Sequence, residues 1–207
     1  LGHEASAIIE EVGEGITKVK KGNYVALSWI KGDGLDGINS QYKKGSQIIN
    51  AGGVTTFSEY SVVSENRVTK ISKRINPEAA SILGCAVATG CGIVNNTLKA
   101  EKNSSIAVFG VGGIGLSAIM GAKRRGCNPI IAIDLTQEKL NFAVQCGATH
   151  TVDASRIDVW QLLRQIAPDG VDFTIDASGN KNAMEMAFDL AREGKGMCVI
   201  AGNLSKD

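Results

Sequence analysis

The sequence lacks any apolar run approaching the roughly 20 residues that span a bilayer, and no signal peptide is visible. It also lacks an excess of charge of one sign, because 22 Lys and Arg residues are balanced by 21 Asp and Glu residues. This balance provides no electrostatic footprint for nucleic acid or for an anionic membrane surface. We therefore expect small-molecule chemistry, with no nucleic-acid or membrane partner.

Proline is scarce, with 3 residues against 25 glycines in a chain of 207. This composition argues against a disordered or fibrous protein and favours an α/β protein with many tight turns between strands and helices. The length allows one large domain or two small ones, and we expect two.

The five cysteines form no C-x-x-C pair, and their odd number leaves one over in any disulfide scheme. We interpret them as reduced thiols of a cytoplasmic protein. Before further context, the simplest interpretation of each is a small buried hydrophobic side chain. They are Cys85, Cys91, Cys127, Cys146 and Cys198.

Residues 5–72 are predicted to be rich in β-strands. Four short runs of β-branched and aromatic residues carry this signal, and the first two are closed by glycine or by lysine and glycine. Residues 31–53 are rich in Gly, Asn, Ser and Lys with little periodicity, so we expect a long surface loop there. The four runs are ASAIIEEVG, NYVALSWI, TTFSEYSVV and RVTKI.

A helical pattern begins at Pro77, with Asn76 placed to cap the helix and glycines at 84, 90 and 92 that predict two shorter pieces. A regular alternation of strands and helices follows. Such repetition requires a parallel sheet with helices on both faces, because crossover helices return the chain for parallel pairing. The predicted strands are 105–109, 130–134, 149–152, 171–176 and 197–201, and the predicted helices are 114–125, 137–146, 157–166 and 182–191.

A glycine-rich loop follows the first strand of this alternation and opens a helix. Gly110, Gly112 and Gly115 have the G-x-G-x-x-G spacing, which permits a tight turn, a close approach to a pyrophosphate and close packing of helix on sheet. The helix N-terminus then offers unpaired N–H groups to phosphates. We predict a dinucleotide-binding loop rather than a non-binding α/β turn. Its remaining residues are Val111, Gly113 and Ile114.

An acidic residue, Asp134, ends the next strand 19 residues after Gly115. Its carboxylate is predicted to accept hydrogen bonds from the ribose hydroxyls of the adenosine. The alternative is a cap for the following helix, a role for which Thr136 competes. Lys139, one turn into that helix, either reaches the same ribose or is a solvated lysine, and the sequence alone favours solvent.

Five stretches, spread over nearly the whole chain, match the pattern of a known family: GHEASAIIEEVGEGI, LGCAVATG, VFGVGGIGLSAIMGAK, IIAID and VDFTIDASG. They resemble the zinc-containing medium-chain alcohol dehydrogenases. One residue departs from the zinc signature of the family, Ala7 in place of a glycine. The middle stretch is most similar to the aryl or benzyl alcohol branch. The resemblance implies a partial β-rich GroES-like catalytic domain at 1–88, followed by a doubly wound Rossmann dinucleotide-binding domain at 89–207.

The resemblance implies roles for single residues. His3 and Cys85 match two ligands of the catalytic zinc, and Glu4 matches a neighbouring carboxylate that can approach the metal as an alternate ligand. Thr89 matches a threonine that contacts the nicotinamide, so it counts both as catalytic and as cofactor-binding. Lys139 falls where the family has a ribose-binding lysine, so the ribose-binding role and the solvated one both stay open.

The resemblance also implies a chain truncated at both ends. The first zinc cysteine of the family and the start of its proton relay would lie before Leu1, and a sixth strand of the sheet would lie after Asp207. The full-length protein is expected to be a homodimer or homotetramer. Residues 31–53 contain no cysteine, so we expect one catalytic zinc and no structural zinc site.

Two other residues with metal-binding side chains are interpreted as structural. In a helix, six residues would turn Cys91 about 240° from Cys85 and raise it about 9 Å, so we expect it to pack rather than replace the absent ligand. His150 leads into a strand and is expected to be structural.

The implied function is transfer of a hydride from an alcohol, primary or aromatic, to NAD with the help of zinc. Its partners would be a small alcohol or aldehyde. Two alternatives stay open: a dinucleotide-binding relative without catalysis, and a zinc-free reductase of the same superfamily. His3 and Cys85 together argue against both.

Overall fold

The computed structural model describes residues 2–50, 52–155 and 159–204. The chain divides into two compact units, Leu1–Ala86 and Val87–Asp207. Within the described residues no single helix is long and apolar enough to cross a membrane, although Pro77–Gly84 and Ala86–Thr97 pass that test if counted together.

The first unit is built on a small antiparallel sheet. The strands of this unit are β1 (Ala5–Ile8), β2 (Tyr24–Leu27), β3 (Gln41–Lys44), β4 (Gln47–Asn50) and β5 (Val68–Lys70). Strands β3 and β4 form a separate two-stranded sheet, and the other three form the main sheet. The order in the sheet is β1-β2-β5, and β2 is buried along its whole length because it is the central strand. Apolar side chains from this sheet and its loops form one core, which contains Val19, Val25, Leu27, Val54 and Val68.

Two predictions for this unit were wrong. The expected loop 31–53 contains the hairpin of β3 and β4, whose tight turn includes Gly45 at φ 61°. The run TTFSEYSVV forms no strand; Phe57 and Tyr60 within it are 82% and 75% exposed. A residue's β-propensity depends on neighbouring strands to pack against, and among the residues that the structure describes no strand pairs with this run.

The predicted break in the helical segment is confirmed. Helix α1 (Pro77–Ser81) begins at the expected cap, where Asn76 Oδ1 accepts hydrogen bonds from the N–H groups of Glu78 and Ala79 at 2.8 and 3.2 Å. A 3₁₀ turn, Ile82–Gly84, follows directly. Cys85 comes next, with φ −134° and ψ −74°, so it lies at the break rather than within a helix.

The second unit has the expected alternation. Its elements are α2 (Ala86–Gly92) with a π-helical turn at Ile93–Thr97, β6 (Ile106–Phe109), α3 (Gly113–Arg125), β7 (Ile130–Asp134), α4 (Gln137–Cys146), β8 (His150–Asp153), α5 (Val159–Ile166), β9 (Phe173–Asp176), α6 (Lys181–Leu190) and β10 (Met197–Ile200). Bounds agree with the predictions within two residues, and β7 and α4 coincide with them. The first two residues predicted for α5 lie outside the described ones.

The five strands of this unit form one parallel sheet in the order β10-β9-β6-β7-β8. Successive residues of β6 enter two different cores: Ile106 and Val108 pack with α3 and α4, whereas Ala107 and Phe109 pack with α5 and α6. Helices therefore cover both faces, and the predicted doubly wound α/β fold is confirmed. The chain leaves β6 toward β7 and returns to its other side at β9, which makes the carboxyl ends of β6 and β9 the topological switch point.

Asp172, one residue before β9, ties β9 to the start of β6. Its Oδ2 accepts hydrogen bonds from the Ser105 N–H and hydroxyl, both at 2.8 Å, and Arg192 forms an ion pair with the carboxylate. Burial alone would raise the pKa of Asp172, but the Ser105 hydrogen bonds and the Arg192 guanidinium hold it below its ordinary value. This carboxylate therefore stabilises the sheet in its charged form.

Candidate functional site

Two of the predicted zinc ligands lie in contact. The His3 Nε2 atom is 3.3 Å from the Cys85 Sγ atom, although 82 positions separate the residues. His3 lies two residues before the start of β1, and Cys85 lies at the break after the 3₁₀ turn. The antiparallel sheet and the turn thus bring one imidazole and one thiol together at a single point of the first unit.

Glu4 lies at the same point. Its Oε1 accepts a hydrogen bond of 2.9 Å from the N–H of Ala86, the residue after Cys85. In this arrangement the carboxylate holds the main chain beside the cysteine, which is a supporting role that the sequence did not predict. Its predicted role as an alternate metal ligand stays a prediction.

The donor types at this site fit zinc, which binds thiolate and imidazole ligands. In the part of the chain that the structure describes, no group of three or more His, Cys, Asp or Glu side chains could hold a metal. The described residues thus provide two ligands, and a zinc here would take further ligands from elsewhere.

Aromatic residues surround His3, and sequence reasoning missed them. The Trp29 ring lies edge-on to the His3 ring, with 6.3 Å between the centroids, and the Arg67 guanidinium lies over Trp29 at 5.6 Å. Next to His3 and Glu4 is a cleft of about 280 Å³ that Phe57 and Ile82 also line. The one signal in the sequence was a tryptophan in the run NYVALSWI, a feature that is too common to indicate a site.

The glycine loop has the geometry that its spacing predicts. Gly110 has φ 82°, and a β-carbon on it would lie 2.7 Å from the main chain of Ser178. A β-carbon on Gly115 would lie 2.0 Å from the Gly110 oxygen, so α3 approaches the strand closely. A β-carbon on Gly112 would meet nothing within 4 Å, which leaves open space at the start of α3. This combination fits a phosphate-binding cradle.

Two of the other loop residues pack in or against the core of the unit, and the third begins α3. Val111 is fully buried, Gly113 is the first residue of α3, and Ile114 packs against the core of the unit. Gly112 occupies the N-cap position of α3 and makes no side-chain cap. The N-terminal N–H groups of α3 are therefore not covered by a capping side chain.

Asp134 is bonded to the glycine loop itself, a contact that the sequence did not reveal. Its Oδ2 accepts a hydrogen bond of 2.9 Å from the Val111 N–H, and its Oδ1 accepts one of 3.1 Å from the Thr136 N–H. Thr136 occupies the N-cap position of α4 without a side-chain cap bond, and Asp134 bonds to the Thr136 N–H at this position. Lys139 Nζ lies 3.8 Å from Oδ1, and its side chain is 53% exposed.

Thr89 lies half-buried on α2. The next residue, Gly90, packs tightly on the glycine-loop helix, since a β-carbon on it would lie 2.3 Å from the Ile114 oxygen. The Cys91 thiol donates a hydrogen bond of 3.3 Å to the Ser117 oxygen, in keeping with its expected packing role.

Three other residues that were predicted to be structural are Cys127, Cys146 and His150. Burial raises the pKa of the Cys127 and Cys146 thiols, which disfavours the reactive thiolate. His150 is exposed, and its Nδ1 lies 2.9 Å from the Thr149 hydroxyl at the start of β8.

Two family models match this chain. Residues 1–73 match the alcohol dehydrogenase GroES-like domain, and residues 113–207 match the zinc-binding dehydrogenase domain. An S-(hydroxymethyl)glutathione dehydrogenase of Photobacterium damsela subsp. piscicida is 37% identical over 229 residues, covering 98% of this chain and 62% of that protein. A protein of the same name from Escherichia coli is 36% identical with the same coverage.

Solved structures of related proteins also match nearly the whole of this chain. A zinc-binding-domain alcohol dehydrogenase protein from Burkholderia ambifaria has a TM-score of 0.85 at 26% identity, covering 100% of this chain and 62% of that one. Benzyl alcohol dehydrogenase from Acinetobacter calcoaceticus has a TM-score of 0.83 at 29% identity, covering 98% and 61%. This chain thus spans about three fifths of the length of these relatives. With both domain types, the paired ligands and the glycine cradle in place, the chain belongs to the zinc-containing medium-chain alcohol dehydrogenase family.

Proposed function

We propose that the whole protein is a zinc-dependent and NAD-dependent alcohol dehydrogenase. The observation that carries the proposal is the contact of the His3 imidazole with the Cys85 thiol at 3.3 Å, because it brings together two side chains of the types that bind zinc although 82 positions separate them. A dinucleotide-binding relative without catalysis, or a zinc-free reductase, has no use for this pair.

In this proposal each residue of the chain has a defined task. Cys85 and His3 hold the metal, and Glu4 keeps the main chain after Cys85 in place through its bond to Ala86. When bound, zinc supplies a Lewis acid for an alcohol or carbonyl oxygen, and the dinucleotide supplies the hydride acceptor or donor. Thr89 contacts the nicotinamide end of the cofactor.

The adenosine end of the cofactor is held in the second unit. The loop from Gly110 to Gly115 presents main-chain N–H groups to the phosphates, and Asp134 accepts hydrogen bonds from the ribose diol. Lys139 is close enough to Asp134 to serve the same ribose. The open space at Gly112 supports this assignment.

We propose primary alcohols as substrates, with aromatic ones favoured, together with the matching aldehydes. The names of the relatives, a hydroxymethyl compound and benzyl alcohol, both describe a CH₂OH group. The apolar rings of Trp29 and Phe57 near His3 and Glu4 support the aromatic preference. A homodimer or homotetramer, expected from the family, also stays a proposal.

The test uses the full-length protein. Zinc is measured by elemental analysis, and NAD reduction is followed with benzyl alcohol, a straight-chain primary alcohol, a secondary alcohol and S-(hydroxymethyl)glutathione. Cys85→Ser should lose the zinc and most of the turnover, because a hydroxyl is a far poorer zinc ligand than a thiolate. Cys91→Ser is the matched control and should keep both.

Other results would support one of the two alternative functions or a different metal ligand. A protein that binds NADH but contains no zinc and oxidises no alcohol would be the non-catalytic relative. Turnover of enones or quinones without zinc would identify the reductase. Full zinc content in Cys85→Ser would show that the wrong cysteine was assigned.

A further inference from the structure

The turn that carries Cys85 is attached to the end of β2 by one hydroxyl group. Ser28 follows β2 directly, and its Oγ donates a hydrogen bond of 2.8 Å to the oxygen of Gly84, the residue before Cys85. The same Oγ accepts a hydrogen bond of 3.1 Å from the Ile30 N–H. One hydroxyl therefore connects the cysteine turn with the segment that contains Trp29.

This attachment has little freedom. A β-carbon on Gly84 would lie 1.6 Å from the Leu27 oxygen, so the turn rests directly on the main chain of β2. Ser28 itself is also fixed, because its N–H donates a hydrogen bond of 2.8 Å to the Arg67 oxygen next to β5. The hydroxyl is thus anchored to the central strand and cannot follow the turn if the turn moves.

The same end of β2 also determines where His3 lies. Strand β1 pairs with β2 with Ala5 opposite Leu27, and His3 precedes Ala5 by two residues. The imidazole is therefore placed through main-chain pairing, whereas the thiol is placed through the turn that Ser28 holds. The 3.3 Å distance between Nε2 and Sγ depends on both.

We propose that Ser28 is a positioning residue of the zinc site, an inference that rests on the proposed function of His3 and Cys85. Ser28 does not touch the ligand atoms; it acts by keeping the Cys85 turn at the distance that one metal can bridge. Without the hydroxyl, the Gly84 oxygen and the Ile30 N–H lose their partner, and the thiol position becomes less defined. Outer groups that orient metal ligands are worth about 10- to 100-fold in metal affinity.

The experiment compares Ser28→Thr with Ser28→Val in the full-length protein. These two side chains have nearly the same shape, so any strain from the added methyl is common to both and the hydroxyl is the difference. Zinc affinity is measured by competition with a chelator. We expect Ser28→Thr to bind zinc about tenfold or more tightly than Ser28→Val. Ser40→Ala, which removes another hydroxyl bonded to a main-chain oxygen of this unit, should leave zinc affinity unchanged.

A second measurement separates positioning from simple stabilisation. In cobalt-substituted protein, the thiolate-to-cobalt absorption reports the geometry around Cys85, and it should change in Ser28→Val but not in Ser28→Thr or Ser40→Ala. Equal zinc affinities and equal cobalt spectra for Ser28→Thr and Ser28→Val would overturn the proposal. If Cys85→Ser itself retains zinc, the proposed function fails instead, which is a different result on a different variant.

Discussion

The cofactor assignment makes a strong prediction about the charge of Asp134. This carboxylate ends β7, accepts a hydrogen bond from the Val111 N–H of the glycine loop and is 9% exposed. Its replacement by glycine would remove the charge and the bond to the loop together. Asp134→Asn is sharper, because the amide oxygen can still accept from Val111 while the negative charge is lost.

The size of the effect follows from two terms. A ribose hydroxyl that donates to the carboxylate gains a charge-assisted hydrogen bond of about 1.5–3 kcal/mol, which a 2′-phosphate cannot make. Two like charges about 4 Å apart repel by about 4 kcal/mol at an effective dielectric of about 20. Lys139, with Nζ at 3.8 Å from Oδ1, offsets part of this repulsion. The low end of the first energy, about 1.5 kcal/mol, with half of the second, about 2 kcal/mol, leaves about 3.5 kcal/mol in favour of NAD. This corresponds to a preference for NAD of more than about a hundredfold.

The assay measures kcat/KM and the dissociation constant of the full-length enzyme for NAD and NADP. The engineered protein carries Asp134→Asn with Leu135→Arg, which adds a cation at a position that is 67% exposed and so costs no core packing. Its preference for NAD should fall about a hundredfold or more. Glu138→Gln, the same loss of charge on the exposed surface of α4, should change nothing. Equal use of NADP by the unaltered enzyme, or an unchanged ratio in the double variant, would refute the role of Asp134.

The other predictions concern the metal, the substrate and stability. The 207-residue chain by itself should bind zinc poorly and oxidise no alcohol, since its described residues bring two metal ligands together; turnover by the purified chain comparable to the full-length enzyme would contradict this. Elemental analysis of the full-length protein should find at most one zinc per subunit, because residues 31–53 contain neither Cys nor His. Trp29→Ala should raise KM for benzyl alcohol more than for a short straight-chain alcohol, and equal changes would exclude Trp29 from the substrate pocket. Because the folded pKa of Asp172 is lowered, its contribution to stability is present above the unfolded value of about 4 and is lost as pH falls through the folded value. Asp172→Asn should therefore lower the melting temperature by a few degrees at pH 7 and flatten its decline toward acid, whereas parallel pH curves would contradict the role of this carboxylate.

The second unit could be predicted almost residue by residue because its central strands β6 and β7 are buried on both faces. A strand such as Ile130–Asp134 then appears as a continuous apolar run, which local patterns identify well. Helix ends were equally visible: Gly126 and Gly147 follow α3 and α4 with φ of 74° and 126°, which glycine adopts most readily. Local sequence and tertiary structure agree throughout this unit.

The first unit was harder to predict because its elements depend on neighbours that are distant in sequence. The hairpin of β3 and β4 is formed by mostly polar strands, so no apolar alternation reveals it. The run TTFSEYSVV has the opposite property, since it looks like a strand but finds no pairing partner. Only the pairing of whole strands decides between such cases.

The candidate site shows the same division. The glycine loop and Asp134 were predicted from spacing, because one short segment contains the whole cradle. The His3 and Cys85 pair could be inferred only from family resemblance, since 82 positions separate the two residues. The bonds that support the site, from Ser28 to Gly84 and from Asp134 to Val111, leave no pattern in the sequence.

The stretch LGCAVATG joins the two halves of the proposed chemistry, and a glycine fixes each half. Gly84 precedes Cys85, and a β-carbon there would lie 1.6 Å from the Leu27 oxygen of the first unit. Gly90 follows Thr89, and a β-carbon there would lie 2.3 Å from the Ile114 oxygen of the second unit. In both places a side chain would have to displace main chain rather than a flexible neighbour. Cys85, the proposed metal ligand, and Thr89, the proposed nicotinamide contact, therefore each lie beside a glycine that packs closely on the main chain of its own unit.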